Sequence, residues 1–67
     1  MGLSDDKVLA LCRRFRTRAK HFAEKAERAS NPRERARLTA SASALKWAAA
    51  DLACYAGVTL PAEEGSS

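Results

Sequence analysis

Asn31-Pro32-Arg33-Glu34 restricts what this chain can fold into more tightly than any other stretch of it. Asn is a preferred helix N-cap, proline at the first helical position arrives with its φ already set, and a Glu at N3 completes a capping-box pattern. The same proline disfavours the α conformation for Asn31, so a helix arriving from the N-terminal side has to end at about Ala29 or Ser30. One helix therefore stops and another starts within a very short turn.

Both flanks carry helical periodicity. Ser4 is placed as an N-cap with Asp5 and Asp6 in the first turn, where carboxylates meet the positive end of the helix dipole. Apolar residues then recur as Val8, Cys12, Phe15, Ala19, Phe22, Ala26 and Ala29, in steps of four and three. After the turn the stripe resumes as Leu38, Ala42, Leu45, Ala49, Leu52 and Ala56, and Gly57 suits a C′ position. The expected helices cover about 5–29 and 32–56. Each is on the order of 37 Å long, and so short a connection must bring them back antiparallel. The predicted fold class is all-α: a two-helix hairpin over residues 1–60, followed by a flexible acidic tail over 61–67.

Written as heptads, Cys12, Ala19, Ala26, Ala42, Ala49 and Ala56 occupy one seam position, while Val8, Phe15, Phe22, Leu38, Leu45 and Leu52 occupy the other. Small residues let the backbones approach, and large ones fill the space between helices. A chain of 67 residues has only a marginal surplus of stability from one core. Two cysteines and one histidine cannot close a structural zinc site, so no metal or other cofactor is expected. Cys12 should lie roughly opposite Ala49, too far from Cys54 for a disulfide. Association with a second copy into a four-helix bundle is the remaining source of stability, and a homo-oligomer is expected.

The pattern resembles the ROP (repressor of primer) family of plasmid copy-number regulators. The resemblance rests on length, the helix–turn–helix layout, the small and large core layers, Gly57 and the acidic tail, with local identity at Leu9, Arg13, Arg16, Glu24 and Lys25. It implies a dimeric four-helix bundle that binds paired RNA stem-loops. The positions matching that family's RNA-facing side are Ala10, Arg14, Arg18 and Lys25; Arg14 and Arg18 are basic where the family has an aromatic and an amide.

Cys12 to Phe22 contains no acidic residue. Arg13, Arg14, Arg16, Arg18, Lys20 and His21, with Lys25 and Arg28 further on, give the first helix a basic strip suited to spaced phosphates. The bland alternative is a solvated basic surface, in which Glu24 and Arg28 form an ordinary i,i+4 pair. No exposed aromatic is interleaved for base stacking, which favours backbone contacts with structured RNA or duplex DNA over single strands.

A second apolar line, Ala40, Ala44, Trp47, Ala50, Cys54 and Val58, falls outside the seam of the second helix. A helix that is apolar nearly all round is normally buried on more than one side, so this line is a candidate interface with a larger protein, anchored by Trp47. The competing reading has Trp47 packing over its own hairpin edge; Tyr55 is expected beside the seam.

No phosphate loop, nucleophile elbow or facing carboxylate pair is present, and an enzyme is not expected. The start of the chain lacks the basic and apolar segments of a secretory leader and no segment reads as a membrane span, so a cytoplasmic protein with reduced thiols is expected. Membrane-surface binding is disfavoured because Val8, Phe15 and Phe22 serve the core. The leading functional expectation is a non-enzymatic oligomeric regulator binding structured RNA or nucleic-acid backbone through the first helix. The alternative is an adaptor, inhibitor or accessory subunit docking through the Trp47 line.

Overall fold

The structure, a computed structural model, describes residues 4–61. They form two helices, α1 (Asp5–Arg28, 24 residues) and α2 (Pro32–Ala56, 25 residues), folded back on each other as a hairpin. The chain measures 45 × 24 × 14 Å, a slab one helix thick. The expected acidic tail lies, apart from Pro61, outside the described residues.

Each terminus is fixed by local chemistry. The Ser4 hydroxyl accepts from the Lys7 N–H at 3.4 Å, and the Asn31 side-chain oxygen accepts from the Arg33 N–H at 2.9 Å. Both occupy the cap position in extended backbone, satisfying N–H groups that have no partner within the first turn. α1 ends at Arg28, and Ala29 is its C-cap with extended ψ. Arg35 then reaches back from the first turn of α2, its Nη2 donating to the Ala29 carbonyl at 2.7 Å. This strap across the turn satisfies a C-terminal carbonyl of α1. Gly57, at φ 71°, closes α2 in the left-handed region. Its N–H donates to the Cys54 carbonyl and the Val58 N–H to the Ala53 carbonyl, the double closure of a Schellman motif.

The seam contains small side chains. Val8, Cys12, Ala19 and Ala26 of α1 and Ala42, Ala49 and Ala53 of α2 are buried. Cys12 lies against Ala49, as its position in the hairpin implied, and its thiol donates to the Ala49 carbonyl at 3.4 Å. Both cysteines are free: Cys12 is buried and Cys54 exposed. Ala53 replaces Ala56 in the seam; Ala56 is exposed because the helix stops there, beyond the level at which Val8 and Cys12 cover it.

Six of the larger apolar residues are only half-buried and share one side. With about 100° of rotation per residue, Leu11, Phe15 and Phe22 flank the α1 seam in one rotational sense, as Leu38, Leu45 and Leu52 flank the α2 seam. In an antiparallel pair, flanks of equal sense fall on the same face of the slab. These six residues, with Ser41 and Ala48 beside them, form an open face; all eight are half-buried. The opposite face is different. Near the N-terminus of α1, Val58 and Leu60 pack against Val8, Cys12, Ala49 and Ala53. The Nη1 of Arg16 donates to the Pro61 carbonyl at 2.7 Å and anchors this returning segment. Near the turn the same face holds a groove of about 480 Å³, whose polar walls are Glu27, Arg35, Thr39, Ser43 and Lys46.

Among the described residues no helix is long and apolar enough to cross a membrane, and no group of three or more His, Cys, Asp or Glu residues could hold a metal ion.

Candidate nucleic-acid interface

α1 is an uninterrupted rod, so its basic residues have fixed relative positions. Arg14, Arg18, His21, Lys25 and Arg28 follow one another in steps of four and three and form a single row. All five are exposed. They span roughly 21 Å, and Lys7, which sequence reasoning left out, stands on the same side and lengthens the row to about 31 Å. No acidic residue shares the row: Asp6 and Glu24 lie on the arc beyond it, away from the open face. The row borders the open face, with Arg18 and Lys25 nearest to it.

The rest of the predicted strip is divided. Arg13 and Lys20 are exposed but sit past Thr17 and Glu24, on the other side of the acidic arc. Arg16 is on the opposite flank, half-buried and bonded to Pro61. It serves the fold. The Lys25 ammonium lies 5.8 Å from the centroid of the Phe22 ring, which is half-buried on the open face. This cation–π contact holds Lys25 at the border between the apolar face and the basic row.

On α2, Ala40, Ala44, Trp47, Ala50 and Cys54 are exposed, and Trp47 stands on the side away from α1 with 70% of its surface accessible. It does not pack over its own hairpin edge. Val58 leaves this line and joins the core, since the chain reverses at Gly57 and carries it back over α1. Tyr55, expected beside the seam, is 94% exposed because its position on α2 points well away from α1. His21 is exposed and Cys12 buried, about two and a half helical turns apart, so they form no thiol–imidazole pair.

Residues 1–53 match a family of unknown function, DUF6381. The match takes in α1, the turn and most of α2, and so includes the basic row, the open face and Trp47. No curated protein and no solved structure matches the chain.

Proposed function

The chain belongs to the DUF6381 family, and from that premise we propose that it is a non-enzymatic, self-associating helical module that binds the backbone of structured RNA or duplex DNA. The observation that carries this reading is the row Arg14, Arg18, His21, Lys25 and Arg28, exposed along one side of a rigid helix without an acidic residue among them. A straight row of cations some 21 Å long matches a line of phosphates, and arginine adds bidentate geometry. Self-association is supported by the open face, where Leu11 and the phenylalanine and leucine side chains of the two stripes remain half in water. The resemblance to the ROP family supports the same combination, a helical bundle acting on RNA from the cytoplasm.

Titrating labelled duplex DNA and stem-loop RNA with the full chain at several salt concentrations tests this. Affinity should fall steeply with salt. Arg14→Ala and Arg18→Ala should each reduce the log–log slope on duplex DNA by about 0.9 and weaken binding almost equally across sequences. Arg16→Ala should leave the slope unchanged, since that guanidinium serves the C-terminal segment. Failure to bind either ligand at low salt, where attraction is greatest, would contradict the proposal.

A second reading is favoured by Trp47, whose large apolar surface is exposed on the face away from α1. An aromatic presented on an alanine-rich helical face suits docking on a larger protein, with the hairpin as adaptor, inhibitor or accessory subunit. That account takes precedence if nucleic-acid binding is absent.

A further inference from the structure

The open face is an unpartnered apolar surface, and its edges indicate both what covers it and in which orientation. The two faces of the slab are not equivalent. One carries the returning segment at Val58 and Leu60 and the polar groove near the turn; the other carries Leu11, Phe15, Phe22, Leu38, Leu45 and Leu52 with nothing over them among the described residues. A second copy presents the same apolar face and is large enough to cover it.

Two face-to-face arrangements have twofold symmetry. In one the turns lie at opposite ends, and each α1 runs beside the α1 of the other copy. In the other the turns lie at the same end, and each α1 runs beside the second copy's α2. The edge residues differ between the helices. The outer edge of α1 carries Leu11, Arg18 and Lys25, bulky and basic, at seven-residue intervals. The outer edge of α2 carries Glu34, Ser41 and Ala48 at the same interval, with the exposed Arg37 one turn on from Glu34. Opposite-end packing sets the basic edge against itself near Arg18 and the small edge against itself. Same-end packing sets the bulky Leu11 and Arg18 against the small Ala48 and Ser41. With Cys12 level with Ala49, Arg18 falls within about 3 Å in height of Ser41 on the second copy and Leu11 of Ala48, while Lys25 falls between Glu34 and Arg37.

We propose that a second copy of the chain covers the open face with its turn at the same end, each α1 lying against the α2 of the other copy. This rests on the self-association in the functional reading above and adds its orientation. The two basic rows then run along diagonally opposite corners of the bundle. A dimer of this form binds two separate helical segments, one per corner, and bridges them.

The orientation is tested by sedimentation together with the distance between spin labels at Ser30→Cys, an exposed turn position, in full-length chain carrying Cys12→Ala and Cys54→Ser. A dimer with labels on the order of 20 Å apart is expected, since the turns are separated by neighbouring helices rather than by a helix length. A dimer with labels at about 36 Å or beyond, the length of α1, overturns the orientation but leaves self-association intact. A monomer at all concentrations overturns both.

Discussion

Gly57 adopts φ 71° at the end of α2, and a Cβ built on it would meet nothing within 4 Å. The demand for glycine is therefore a matter of backbone conformation alone. Gly57→Ala should cost about 1–2 kcal/mol, the expense of holding an L residue in the left-handed region. A D-alanine introduced by chemical synthesis should restore or exceed the original stability. Equal urea midpoints for the L-Ala and D-Ala chains would contradict this account of the cap. At this scale the sequence was highly legible: Ser4, Asn31, Pro32 and Gly57 signal their roles through chemistry confined to a few neighbours. Arg35 and Arg16 were less so. One straps the turn and the other anchors the returning segment; both are long side chains reaching backbone carbonyls outside their own helix, which no helical periodicity encodes.

The two helices divide the work of packing by side-chain size. Every buried residue of the seam is Ala, Cys or Val, while Phe15, Phe22, Leu38, Leu45 and Leu52 border it half-exposed. Fully burying such a side chain is worth about 1.5–3 kcal/mol. A lone hairpin collects only part of that, and a covered open face collects the rest. Leu45→Ala and Phe22→Ala should therefore each destabilise the assembly by about 2–5 kcal/mol per chain. The loss should be markedly smaller in dilute solution, where the hairpin is dissociated. Losses below about 1 kcal/mol at every concentration, read from chemical unfolding, would show that these residues never become buried. The heptad spacing made the helices and their seam readable in advance. It did not reveal which side stays open, because that depends on Val58, Thr59, Leu60 and Pro61 folding back over one face, and four residues past a helix stop carry no periodicity. The same return explains why Val58 belongs to the core and not to the Trp47 line.

At the scale of the whole molecule, two helices form a slab only 14 Å thick whose largest apolar side chains lie at its surface. The basic row borders the open face and Trp47 lies away from it, so the proposed self-association would leave Arg14, His21, Arg28 and Trp47 accessible to other partners. The position of the row was partly legible: arginine density in α1 identified the helix, but only its geometry separates Arg14, Arg18, His21, Lys25 and Arg28 from Arg13 and Lys20 beyond Glu24. In the proposed module the open face is covered by a second copy. Sedimentation equilibrium of the purified chain, combined with thermal unfolding over a hundredfold dilution series, measures that directly. Twice the chain mass at the concentrated end, with a melting temperature that falls on dilution, is the predicted result. A single-chain mass throughout, with melting unchanged across the series, would contradict it.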